Sequence, residues 1–223
     1  MPLALFDLDN TLLAGDSDYL WGRHLVDLGA VDGEFYERAN QRFYDDYRAG
    51  CLDIHAFLRF SLAPLRQHPL AMLEQWREDF LRKHIEPIML TAAHALVEQH
   101  RRAGDTLIVI TATNAFVTAP IAARFGIEHL IATEPARAAE GYTGEIVGPP
   151  AFREGKVERL HQWLATHPAT LAGSTFYSDS INDVPLLETV DFPVAIDPDP
   201  GLAALARARG WPIRSLRGGD VWT

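Results

Sequence analysis

Leu3-Ala4-Leu5-Phe6 is a short apolar run cut off by Asp7, with a second carboxylate at Asp9. A run of this length without polar alternation is the pattern of a strand buried on both faces, as in a parallel sheet. The pattern recurs. Residues 107–110 end at Thr111, residues 175–177 at Ser178-Asp179, and residues 193–196 at Asp197, while Leu130-Ile131-Ala132 is a weaker example. Amphipathic helical stretches lie between these runs. Buried strands alternating with helices predict an α/β fold, a Rossmann-like doubly wound parallel sheet.

Residues 16–88 break the alternation and read as helices only. Leu20, Trp21, His24, Leu25 and Leu28 form one apolar face, which closes at Gly29 in a C′ position. Phe35, Tyr36, Ala39, Phe43, Tyr44 and Tyr47 form a second face ending at Gly50. Ile54, Phe57, Leu58, Ser61 and Leu62 make a third, and Pro69 opens a fourth helix with Leu73, Trp76, Phe80 and Leu81 inside. This block predicts a small all-helical cap inserted after the first strand. The cap domain would be 16–88, and the core domain 1–15 and 89–223. Within the core, the alternation of residues 142–147 between Gly141 and Gly148 suggests a small hairpin.

Charge narrows the partners. The 223 residues include 30 acidic and 20 basic side chains, a formal balance of −10. A surface of that sign argues against nucleic acid or anionic lipid as a partner, yet leaves room for a local site for a small anion. Cys51 is the one cysteine, so no intrachain disulfide can form, and it reads as a buried or incidental thiol. The N-terminus lacks the basic region of a signal peptide. The uncharged stretch 106–123 carries Thr, Asn and Pro120 and fits a strand followed by a helix better than a membrane span. The cytoplasm is the expected location, and the oligomeric state is left open.

Ligands of an open parallel sheet bind beyond the carboxyl ends of its strands. Those ends bring Asp7, Asp9, Thr111 and Asp179 to one rim, with Asn182 and Asp183 just beyond. Lys156 opens an amphipathic helix bearing Val157, Leu160, Trp163 and Leu164. Two carboxylates about 5 Å apart repel by roughly 3 kcal/mol at an effective dielectric near 20. The cluster therefore needs a cation, and hard oxygen ligands select Mg2+. Asp7, Asp9, Asp179 and Asp183 are balanced by Lys156 and Mg2+ once Asp9 holds a proton, and a phosphate dianion can then enter. Plainer roles compete at some positions. Asp183 could cap the helix that starts at Val184-Pro185, as Asp199 would cap the one at Pro200-Gly201. The 9 histidines show no HxxxH or HxH pair, which speaks against a zinc site.

Asp7-x-Asp9-x-Thr11 at a strand end, followed by Thr111, Lys156 and the Asp179/Asp183 pair, resembles the haloacid dehalogenase superfamily of phosphohydrolases. The resemblance spans the whole chain. Residues 111–118 (TATNAFVT) and 177–183 (YSDSIND) are similar to its family IB, phosphoserine-phosphatase-like branch. It implies that Asp7 is the nucleophile forming an aspartyl phosphate. Asp9 would be the general acid and base and would bind Mg2+ through its main-chain carbonyl. Asp179 would be a metal ligand, and Asp183 a support for the metal or a water on it. Thr111, Lys156 and Asn182 would contact the phosphoryl group.

The same resemblance points to a small phosphorylated metabolite. Serine phosphatases of the branch use a cap Glu for the substrate amine and an Arg for its carboxylate. Asp16 stands at the first position, where it could also be a helix cap, and Arg59 matches the second. The branch carries Ser-Gly-Gly where this chain has Thr111-Ala112-Thr113. Phosphoserine and histidinol phosphate are the expected candidates. A phosphotransferase or mutase on the same scaffold and a phosphoacceptor signalling module are the rival readings.

Overall fold

The structure, a computed structural model, describes residues 1–218, so the last residues of the expected 89–223 segment lie outside it. Strands β1 (Leu3–Phe6), β2 (Thr106–Asn114), β3 (His129–Ala138), β4 (Gly141–Val147), β5 (Thr175–Ser178), β6 (Phe192–Ile196) and β7 (Ile213–Arg214) form one sheet. Their spatial order is β4-β3-β2-β1-β5-β6-β7. All pairs are parallel except β3 with β4. The short apolar runs are thus the buried strands. β3 continues past residues 130–132 to become the first arm of the hairpin, so the hairpin extends the sheet edge instead of standing apart.

Alternate residues of each strand feed opposite cores. Ala4, Phe6, Val109, Tyr177 and Val194 pack on one side with helices α6 (Thr91–Ala103) and α7 (Ala115–Arg124). Leu3, Leu5, Ile108, Phe176 and Ala195 pack on the other with α8 (Glu154–Leu164), α9 (Val184–Leu187) and α10 (Pro200–Arg209). Asp199 caps α10 through Leu202 N at 2.8 Å. Residues 106–123 are β2 and most of α7, and among the described residues no helix is long and apolar enough to cross a membrane.

Between β1 and β2 run α1 (Ser17–Asp27), α2 (Gly33–Arg48), α3 (Ile54–Ser61), a short α4 (Ala63–Gln67) and α5 (Leu70–Phe80). Gly29 and Gly50 follow α1 and α2 with φ of 66° and 68°, the left-handed conformation that ends a helix at low cost for glycine. The insert has two faces. Trp21, Leu25, Leu62, Leu65, Leu73 and Phe80 share a core with Phe6 and Phe116 of the sheet layer. Phe43 and Leu52 instead form a separate cluster with Phe152 of the core loop. Cys51, between α2 and α3, is exposed.

Candidate active site

β1 lies between β2 and β5, where the chain reverses its direction of winding, and the crevice beyond these strand ends is the expected ligand position. Asp7 leaves β1 there, its N–H bonded to Tyr177 O at 2.9 Å. Lys156 Nζ, only 2% exposed, donates to Asp7 Oδ1 at 2.9 Å and to Asp183 Oδ2 at 2.8 Å. Ser178 Oγ donates to the same Asp183 oxygen at 2.7 Å. Thr11 Oγ1 sits between Asp7 Oδ2 at 3.4 Å and Asp179 Oδ1 at 3.3 Å, and accepts from Asp179 N at 3.1 Å. Its single proton serves one carboxylate at a time.

The turn after β1 explains this placement. Leu13 N reaches back to Leu8 O at 3.0 Å, and the wide turn needs Asn10 at φ 56°. Asn tolerates that conformation better than most residues. The turn points Asp9 toward the helical insert. Asp9 Oδ1 accepts from Ser17 N at 2.6 Å, and Asp9 Oδ2 accepts from Thr113 Oγ1 at 2.8 Å. Asp16 caps α1 by accepting from Tyr19 N at 2.8 Å. Asp7, Asp9, Asp16, Asp18, Thr111 and Thr113 line one cavity, roofed by Tyr19, Asn40, Phe43, Tyr44, Tyr47 and Phe57 of the insert.

Burial shapes the protonation of the site. It raises the Asp7 carboxyl to about 7 against the pull of Lys156, with Asp183 adding to the rise. It raises Asp9 to about 7 as well, helped by Asp16. Asp179 is held well above the usual carboxylate range by burial and then by Asp7 and Asp183. Lys156 loses by burial, but Asp183 and Asp7 outweigh that loss and keep its ammonium charged.

The sequence model of haloacid dehalogenase-like hydrolases matches residues 4–188. The chain belongs to that family. A histidinol-phosphatase of Neisseria meningitidis is 44% identical over 219 residues, covering 96% of this chain and 99% of the relative. A crystal structure of a Bordetella pertussis protein of unknown function superposes with a TM-score of 0.91 at 47% identity, covering 96% of this chain and 98% of the other. A phosphoserine phosphatase carrying a phospho-aspartyl intermediate analogue reaches a TM-score of 0.71 at 17% identity, covering 97% and 93%, a likeness of fold.

In this haloacid dehalogenase-like hydrolase, Asp7, Asp9, Thr111, Lys156, Asp179 and Asp183 meet at one strand-end rim. Three of the expected site residues have other partners or positions. The Asn182 side chain is engaged by the insert and by the loop before α8. Its Nδ2 donates to Tyr47 O at 3.0 Å, and its Oδ1 accepts from Arg153 Nε at 3.1 Å. Arg153 also donates to Gly50 O, so Asn182 and Arg153 clasp the end of α2 to the core. Asp183 stands at the N-cap position of α9 but makes no side-chain cap bond, and its oxygens accept from Lys156 and Ser178. Arg59 is exposed on α3. Ile54 and Phe57 line the cavity, and a residue two positions past Phe57 is turned about 200° around a helix. Sequence reading missed Thr11, Thr113, Ser178, Asp18 and Arg153 as parts of the site. For Thr11 a signal was present, since it completes the Asp7-x-Asp9-x-Thr11 motif.

A hard divalent cation fits the donor set. Asp7 and Asp183 crowd one ammonium, and Asp7 and Asp179 converge on Thr11 with oxygen donors only. Both side-chain oxygens of Asp9 are engaged, which leaves its main-chain carbonyl for a cation. Among the described residues no group of three or more His, Cys, Asp or Glu side chains is placed to hold a metal ion, so a main-chain carbonyl and water would have to complete the set. A cation held by two carboxylates, a carbonyl and water is the usual habit of Mg2+.

Proposed function

We propose that the chain is a Mg2+-dependent phosphatase that hydrolyses histidinol phosphate, a small phosphomonoester, through an aspartyl-phosphate intermediate. The observation that carries the reading is the pairing at one cavity of Asp7, held through Oδ1 by Lys156, with Asp9, a carboxyl raised to about 7. Asp7 Oδ2 would attack phosphorus while the ester P–O bond breaks, and Asp9 would give its proton to the departing alkoxide. Water would then attack the phosphorus and yield its proton to Asp9. The bond from phosphorus to Asp7 breaks, and inorganic phosphate leaves. Lys156 would offset the charge that spreads over the phosphoryl oxygens, and Thr111 would hold one of them. Asp183 and Ser178 would position Lys156. Mg2+, held by Asp7, Asp179 and the carbonyl of Asp9, would supply charge neutralisation for the incoming dianion.

Residues 16–88 would act as the cap over a core of 1–15 and 89–223, closing the cavity against water. The name of the Neisseria relative and the cavity position of Asp16 support an amine-bearing substrate. The test is hydrolysis of histidinol phosphate, phosphoserine and p-nitrophenyl phosphate with Mg2+ and with EDTA. Turnover should require Mg2+ and favour histidinol phosphate. Asp7→Asn should lower kcat by roughly a thousandfold or more with cooperative melting retained. Undiminished turnover in that variant sinks the mechanism.

A further inference from the structure

We infer that Asp18 is a specificity-determining residue that selects phosphate esters of alcohols bearing a planar cationic nitrogen group and rejects those bearing a carboxylate. The inference rests on the phosphatase reading above and deepens it. The cavity is lined by Asp7, Asp9, Asp16 and Asp18, and by no Lys, Arg or His. Three of these carboxylates already have partners. Asp7 has Lys156, Asp9 has Ser17 N and Thr113, and Asp16 has Tyr19 N. The Asp18 carboxyl has no hydrogen bond or ion pair among the described residues, and burial, with Asp16 and then Asp9 nearby, holds it well above the usual carboxylate range, so a cation brought by a ligand would favour its ionised form. An acid in the first turn of α1 is favourable toward the helix dipole. That role does not require the residue to face a cavity, and Asp16 already caps the helix. An acid left unpaired beside a cavity whose lining has no basic side chain is stabilised in its ionised form by a cation that the ligand brings.

The walls state the shape of that ligand. Tyr19 and Tyr44 lie with ring centroids 5.1 Å apart, and Phe43 and Phe57 5.5 Å apart. All four rings line the cavity. Flat aromatic faces beside a carboxylate suit a planar cation such as a protonated imidazole. A carboxylate-bearing substrate would find no positive side chain in the lining to pair with beside Asp18. Asp16, with one oxygen on Tyr19 N, would keep the other for an amine, and Asp18 would add a second demand that an amine alone does not meet.

The experiment compares kcat/KM of the wild-type chain and Asp18→Asn for histidinol phosphate, phosphoserine and p-nitrophenyl phosphate, each with Mg2+. The wild-type chain should prefer histidinol phosphate. In Asp18→Asn the ratio of kcat/KM for histidinol phosphate to that for p-nitrophenyl phosphate should fall at least about tenfold, mainly through KM. Asp18→Glu should recover part of the ratio. An unchanged ratio overturns the inference, including the case in which both activities fall together because folding or catalysis is damaged. A wild-type preference for phosphoserine also overturns it. Absence of Mg2+-dependent hydrolysis of all three esters by the wild-type chain would instead defeat the phosphatase reading.

Discussion

Lys156 is buried between Asp7 and Asp183, and each of the three groups holds the others in place. Such an arrangement gives little net stability when intact, but losing one partner leaves the others buried and uncompensated. Lys156→Met, close to isosteric, should therefore destabilise the chain by about 3–5 kcal/mol in urea unfolding at neutral pH. The loss should shrink toward pH 5, where Asp7, raised to about 7, takes up a proton and one of the stranded charges disappears. A loss independent of pH would mean that the lysine acts through packing. Thr113 makes a similar point on a smaller scale. Its hydroxyl holds Asp9, a contact that the glycine of the related branch could not supply.

At the scale of elements, the start of α8 aims Lys156 at β1. Gly155 fits there because its α-carbon approaches the loop before it. A Cβ at this position would lie 2.0 Å from Pro150 O, a backbone atom that cannot swing aside. Gly155→Ala should displace the first turn of α8, lowering kcat for p-nitrophenyl phosphate by about tenfold or more together with a drop in Tm. A variant as active and as stable as the parent would show that the loop yields freely. The helical insert is an element pair with two attachments. α1 and α5 are welded into the sheet's own core through Trp21 and Phe80, whose rings meet edge to face at 5.3 Å. The α2–α3 tip rests on Phe152 and on the Asn182–Arg153 clasp. Any opening of the cavity would thus be expected at the tip.

For the whole molecule, the carboxylate cluster links metal binding to protons. Asp7 rises from its ordinary 3.8 to about 7 on folding because burial prevails. The folded chain therefore binds that proton more tightly than the unfolded chain. Its contribution to stability is present at low pH and is lost as pH climbs toward 7. A cation binds only the deprotonated carboxylate, so it acts in the opposite sense. Millimolar Mg2+ should raise Tm by several degrees over EDTA at about pH 7.5, and by less than half as much at about pH 5.5. Comparing the two conditions at each pH cancels the titration of His24 and His94, which burial pushes down. A Mg2+ effect that is flat with pH would place the ion away from Asp7.

Local chemistry made much of this molecule readable from its residues. Apolar runs too short and too uniform for anything but buried strands located the sheet, and the polar residues that stopped them located the rim. A helix-only block between the first two strands located the insert. Side-chain direction was a different matter. Asn182 and Asp183 are adjacent in the chain, yet one faces the α2 tip and the other Lys156. Arg59 and Phe57 share a helix but not a face, and Asp18 owes its importance to a cavity whose walls come from β1, β2 and three helices. Strand burial and helix period are set by neighbours a few residues away, so the chain's order reveals them. Which groups share a proton, a cation or a cavity depends on contacts across more than 100 positions, as between Asp7 and Lys156, and packing alone creates those.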